Sequence, residues 1–292
     1  MDWILEPLQA DFVVRALFGG VLVALICAVA GTWVVVRGMA FLGEAIGHAM
    51  LPGVALATLA GAPVILGAAV SAAAMSAAIG LLQRRGRLSY DTSIGLLFVG
   101  MLSAGVIIVS HSRSFATDAT ALLFGDILAL QNADVAVLAA ALTVTVAVAA
   151  GFHRAFVAAA FDPRIALTLG LRPQLAHVAL TGLVTLAVVA SFQAVGTLLM
   201  VGLLLAPAAA ARPWTARIPA TMALAGVLGS TMTAAGLLIS WHAGTAAGAS
   251  IAASAIALAA LSGLVRATVN RVRRPVHPLP LSPNTAPSPA AR

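Results

Sequence analysis

The chain has 292 residues, of which 61% are hydrophobic and 9% charged, and its mean hydropathy is +1.06; soluble domains carry roughly 25% charge, so this composition excludes one and makes the bilayer the solvent. The net charge of +7 rests on sixteen basic residues, all arginine, scattered singly or in short runs between apolar stretches. That pattern excludes a nucleic-acid face of clustered cations, and the absence of lysine excludes the phosphate-cradling GxxxxGK[ST] motif.

If ATP drives this protein, a separate chain hydrolyses it. The single cysteine, Cys27, leaves no internal disulfide or CxxC metal site. Asp2, Glu6 and Asp11 precede Arg15, and the apolar run behind them is too long for a cleaved signal peptide, so the first segment is expected to stay in the membrane.

Crossing the hydrocarbon takes about 20 apolar residues in a helix, because no backbone polar group can face lipid unsatisfied. The sequence predicts spans at 12–36, 43–60, 63–83, 92–110, 134–153, 174–191, 194–211, 218–240 and 245–266. The fold class is therefore an all-α integral membrane bundle of about nine helices. Arg37, the Arg84, Arg85 and Arg87 cluster, Arg154, Arg164, Arg172, Arg212, Arg217 and the group from Arg266 to Arg274 all fall on one side of these spans, with Arg15 and Arg113 opposite. By the positive-inside rule that side is the cytoplasm, so the N-terminus is outside and the C-terminus inside. Three regions follow: an outer segment 1–11, a transmembrane domain 12–266, and a basic, then Pro/Ala-rich tail 267–292 with little to bury. The outer stretch 111–133 holds an apolar piece too short to span, which reads as re-entrant or interfacial.

Segment two opens GEAIGHAMLPG, placing Glu44 and His48 four residues apart on one helix face. Ionisable groups at membrane depth are costly and usually face an internal path or a partner. Pro52 cannot donate to the carbonyl of residue 48, which is expected to stand free at a kink. One helix would thus offer a carboxylate, an imidazole and a carbonyl to an ion, and two copies would form a four-ligand His/Glu cage suited to zinc, manganese or ferrous iron. A Glu-His pair that only anchors the helix end is the alternative.

After segment five, FDPRIALTLGL predicts a short helix: Asp162 as N-cap, Pro163 at the first helical position and Gly170 at a left-handed end. Ala166, Leu167 and Leu169 give it an apolar face that a cytoplasmic partner would receive; a structural loop helix is the alternative. In GTLLMVGLLLAPAAAA, Gly196, Gly202 and Pro207 are candidate gating positions because they weaken a helix near both ends. His242, at the outer end of segment eight, reads as an interfacial residue beside Trp241, with receipt of the metal as the alternative.

Taken in order, GEAIGHAMLPGVALA, LSYDTSIGLLF, LLFGDIL, FDPRIALTLGL and VGTLLMVGLLLAPAAAA resemble the permease family of bacterial ABC importers for zinc, manganese and iron, over residues 12 to 266. The resemblance implies an inner-membrane homodimer. Its partners would be two cytoplasmic ATPase subunits docked on the FDP loop and an extracytoplasmic metal-binding protein that delivers the ion. It puts the family's metal-path residues on Glu44 and His48, where the family often has Asp and, at Gly47, Ser. Its coupling loop falls on Phe161, Asp162, Pro163, Ala166 and Gly170. No cofactor is expected to be held permanently; Zn2+, with Mn2+ or Fe2+ as alternatives, is the transported substrate, and the permease itself is not an enzyme. An ion-coupled secondary metal transporter would need carboxylates in several span interiors, where Glu44 stands almost alone. An intramembrane protease built on Ser250 and His242 would lack an orienting acid.

Overall fold

The fold comes from a computed structural model that describes residues 6–84, 89–110, 125–168 and 170–272. After a 3-10 turn at Pro7–Gln9 the helices are α1 (Asp11–Val36), α2 (Ala40–Ala49), α3 (Leu51–Ala60), α4 (Val64–Arg84), α5 (Tyr90–Ser110), α6 (Asn132–Gly151), α7 (His153–Phe161), α8 (Pro163–Thr168), α9 (Pro173–Ala211), α10 (Ile218–Ala243) and α11 (Ala247–Val272). All regular structure among the described residues is helical.

Among the described residues, eight helical segments are long and apolar enough to cross a membrane, α2 and α3 counting as one, Ala40–Ala60. The expected seventh span, 194–211, is instead a shorter apolar helix, Leu199–Trp214. It continues from the preceding span through a break inside α9. Two other boundaries differ: α11 runs on to Val272, past the expected 266, and a separate helix, α7, fills the start of the loop expected after segment five. The tail 273–292 and most of the apolar outer piece lie outside the described residues. What is described of that piece is a 3-10 turn, Ile127–Ala129, capped by the Asp126 carboxylate, which accepts the Ala129 N–H at 3.2 Å.

α1 is the axis of the bundle. It packs most extensively on α9 and α10 and also on α6, while α2 to α5 form a second group joined to the first through α9. Small residues set these distances, since apolar side chains gain little by leaving lipid and association relies on close backbone approach. A Cβ on Gly31 of α1 would strike the Leu204 carbonyl of α9, and a Cβ on Gly236 of α10 would lie 2.7 Å from the Ile251 nitrogen of α11. Large apolar side chains such as Leu56, Val70, Leu96, Val106 and Leu264 remain exposed along the outer faces, where lipid rather than water covers them.

The break in α9 is at Gly196, with φ 67° and ψ −180°. That conformation is essentially restricted to glycine and costs other residues of order 1–3 kcal/mol. Gly202, by contrast, lies in regular helix with nothing within 4 Å of an added Cβ, so it is not a weak point of the backbone. Gly196→Ala should lower stability by about 1–3 kcal/mol, whereas Gly202→Ala should be neutral or stabilise by about 0.5–1 kcal/mol. Thermal unfolding of the detergent-purified chain followed by tryptophan fluorescence separates them, and equal melting points for the two variants would contradict the assignment of the break.

Candidate functional site

The apolar pattern AFLGEAIGHA coils into α2 with two faces. Gly43 and Gly47 lie against the second half of α9: a Cβ on Gly43 would reach Leu204 Cδ2 at 2.5 Å, and one on Gly47 would reach Met200 Cε at 3.5 Å and Thr197 at 3.9 Å. Both glycines are buried. One residue further round the helix, Glu44 is exposed and His48 is half-buried, so the predicted pair does share a face, open at Glu44 and partly covered at His48. No group of three or more His, Cys, Asp or Glu residues able to hold a metal occurs among the described residues; one chain therefore offers this pair and no complete ligand set.

His48 is positioned by an aromatic that the sequence reading missed. Phe98 of α5 meets the imidazole edge-on, with ring centroids 5.6 Å apart, and meets Phe41 at 5.5 Å. The available signal was an aromatic within a span of a chain that is only 5% aromatic. The expected free carbonyl does not materialise in the expected way. The helix stops at Ala49, Met50 separates α2 from α3, and the His48 carbonyl accepts the Met50 N–H. The neighbouring Ala49 carbonyl takes the Ser71 hydroxyl of α4 at 2.6 Å. Pro52 sits in the first turn of α3, a place where proline has no helical partner to lose.

The FDP segment folds as its capping chemistry requires. Phe161 ends α7, Asp162 is extended at φ −154° and ψ 120°, and Pro163 opens α8. The Asp162 carbonyl accepts the Ala166 N–H at 3.2 Å. At the other end the Leu171 N–H reaches the Ala166 carbonyl at 2.9 Å and the Gly170 N–H reaches the Leu167 carbonyl at 3.0 Å, with Gly170 at φ 70°. These are the paired bonds of a Schellman closure. Ala166 is fully buried and Leu167 is 62% exposed, so α8 rests on the bundle by one side and presents the other; Leu169 lies outside the described residues. The platform beneath it is α7, whose Phe156 is buried against the Trp33 ring at 5.2 Å near the end of α1.

Of the gating candidates, Gly196 marks the break and Pro207 lies inside α9, where its ring would meet a Cβ on Gly229 of α10 at 3.3 Å. Gly125 closes over the break, since a Cβ there would collide with the backbone of Val195 and Gly196. Beside it, the Thr197 hydroxyl is buried without a hydrogen-bond partner.

Residues 9–266 match the family described as the ABC 3 transport family. The manganese transport system membrane protein MntC of Halalkalibacterium halodurans is 34% identical over 257 residues, covering 88% of each chain. The chelated iron transport system membrane protein YfeD of Yersinia pestis is 30% identical over 293 residues, covering 97% of this chain and 96% of its own. Among solved structures, PsaBC from Streptococcus pneumoniae in complex with Fab superposes with a TM-score of 0.81 at 28% identity, covering 94% of this chain and 99% of that one.

The closure of α8 depends on the left-handed Gly170. Gly170→Val should cost about 1–2 kcal/mol there, and Gly170→Asn clearly less. Amide hydrogen exchange over Ala166–Leu171 is the measurement; unchanged protection in the valine variant would dismiss the cap.

Proposed function

The chain belongs to the ABC 3 transport family, and on that premise we propose that it is the permease of an ATP-driven importer carrying manganese or ferrous iron into the cytoplasm. It is a multi-pass protein of the plasma membrane. The named relatives are manganese and iron systems, so the manganese or iron alternative takes precedence over the zinc expected from the sequence. An imidazole and a carboxylate per chain suit all three, and homology is the better guide.

The observation that carries the reading is the pair Glu44 and His48 on one face of a helix whose opposite face is buried on α9. A two-fold partner turning the same face inward supplies the second carboxylate and imidazole, and an isologous contact does this without any new sequence. The half-helix after Gly196 lies directly behind the pair, and discontinuous helices are a common way to build an ion site at membrane depth. The arginine-rich ends of the spans face the cytoplasm in this reading, which puts α8 on the side where a separate ATPase subunit docks. Exposed Leu167 is its contact, and a binding protein delivers the ion from the opposite side. A negative interior favours entry of a +2 ion by about 4.6 kcal/mol per 100 mV. That bias does not select an ion or block its return, and those tasks fall to the four-ligand cage and to ATP.

Radiolabelled manganese, iron and zinc uptake in cells co-expressing the ATPase and binding protein tests this. Glu44→Ala and His48→Ala should each reduce manganese or iron uptake about tenfold or more at matched membrane abundance. A fall in zinc uptake alone would return the cargo to zinc, and unchanged uptake of all three would remove the pair from the path. Leu167→Asp should abolish uptake and retention of the ATPase during purification while leaving membrane abundance intact; normal retention would move the docking surface elsewhere.

A further inference from the structure

A crevice of about 1000 Å³ opens between α4 and the first half of α9 at the arginine-rich end of the bundle, outside the site described above. Its walls are apolar, formed chiefly by Ala69, Ala73, Ala77, Leu186 and Val189. From Ala69 to Gln83 the α4 wall rises about 21 Å, more than one leaflet's share of a hydrocarbon core roughly 30 Å thick.

The chemistry changes at the arginine-rich end. Arg37, Gln83 and His177 line the crevice there, and Arg37 Nη1, Gln83 Nε2 and His177 Nε2 are all buried without a hydrogen-bond partner. Tyr90 packs edge-on against His177 at 5.6 Å; its hydroxyl approaches Thr181 but forms no hydrogen bond of good geometry, and it too is unpartnered. Arg37 lies between spans, and burial, only partly offset by Tyr90, lowers the pKa of its guanidinium, the mark of a cation short of compensation. The first turn of α9 adds to the positive potential: Pro173 and Gln174 line the crevice, and the turn has no side-chain cap. Among the described residues, no carboxylate lines the crevice.

Buried donors without acceptors cost about 1–3 kcal/mol each, more when charged. A guanidinium nitrogen and an amide nitrogen have no acceptor capacity, so they call for an acceptor, and the uncompensated charge of Arg37 favours an anionic one. The apolar wall running from that point toward the membrane centre accommodates an acyl chain but not a free ion's hydration shell. We propose that the crevice binds an anionic phospholipid, with its phosphate on Arg37, Gln83 and His177 and one acyl chain along α4 and α9. Basic pockets between helices at headgroup depth are a recurring means of holding such lipids. The occupant touches neither Glu44 nor His48, so the inference stands or falls separately from the choice of cargo.

The test uses the full chain purified in a neutral detergent and titrated with phosphatidylglycerol or phosphatidylcholine, with retained lipid read by native mass spectrometry and stability by thermal unfolding. Wild type should retain phosphatidylglycerol preferentially and melt higher with it. Arg37→Gln should lose about tenfold of that preference, the loss of one charge-assisted contact, while melting normally without lipid. Gly182→Leu is a second, independent variant, because Gly182 lines the crevice and an added Cβ there meets nothing within 4 Å. It should fill the groove and release both lipids without disturbing the helix. Three results would overturn the proposal: wild-type phosphatidylglycerol retention in both variants; stabilisation by inorganic phosphate equal to that by the lipid and lost in Arg37→Gln, which would make the ligand a free anion; or a change of oligomeric mass in Gly182→Leu, which would mean that a second copy covers the crevice.

Discussion

The interruption of α9 at Gly196 is the constraint on which the rest of the arrangement depends. The break falls where the span Pro173–Thr197 gives way to the shorter helix Leu199–Trp214, and backbone groups freed there need cover from protein. Here the cover is Gly125, close enough to the backbone of Val195 and Gly196 that a side chain at 125 would collide with it. The shorter segment beyond the break lies behind α2. Its Leu204, Met200 and Thr197 meet Gly43 and Gly47, and its Pro207 meets Gly229 on α10. The glycine face of α2 fits that surface, and the helix has then no choice about where Glu44 and His48 go.

The residues on this surface are economical because they are small. A glycine at 43 and 47 brings α2 close to α9 without a lock-and-key side chain, leaving orientation to the larger groups around it. Phe98, between Phe41 and His48, supplies one such group, and the Ser71 hydroxyl on the Ala49 carbonyl supplies another by tying the kink to α4. With one imidazole edge against an aromatic ring, the remaining freedom of His48 is toward the open face. That is where an ion shared between two copies would lie.

What was legible in the sequence follows the range of the interactions. Asp162, Pro163 and Gly170 act within a few residues of one another, so the caps of α8 could be read from the letters, and Glu44 with His48 could be read from the cost of polar groups in an apolar run. The free carbonyl at residue 48 was an inference from an uninterrupted helix. It failed because Met50 ends α2, which changes which oxygen loses its partner and lets Ser71, twenty-two positions away, take the next one. Gly196 and Gly202 look alike in a string, since both are glycines in an apolar run; only the backbone of the loop before α6, packed on one of them, tells them apart. Phe98, α7 under α8, and the four buried donors around Tyr90 likewise come from segments far apart in sequence, and no local pattern announces them.

α9 joins all three features in one covalent path. It starts just after the Schellman closure of α8, forms a wall of the crevice along its first half, breaks at Gly196 and then backs α2, the helix of Glu44 and His48. A continuous helix would carry a displacement at α8 rigidly to α2. A helix with a glycine joint need not, because the joint absorbs a change in direction while each half keeps its own packing. The first half is tied to α4 by a hydroxyl contact of Ser76 with Thr185 at 2.6 Å and to α1 where Ser191 lies beside Cys27, and the second is tied to α1 where Gly31 admits the Leu204 carbonyl. Both halves therefore lean on α1, and the wall that α9 shares with α4 is the one at which the crevice opens. A lipid seated there would bear on the seam between α4 and the first half of α9.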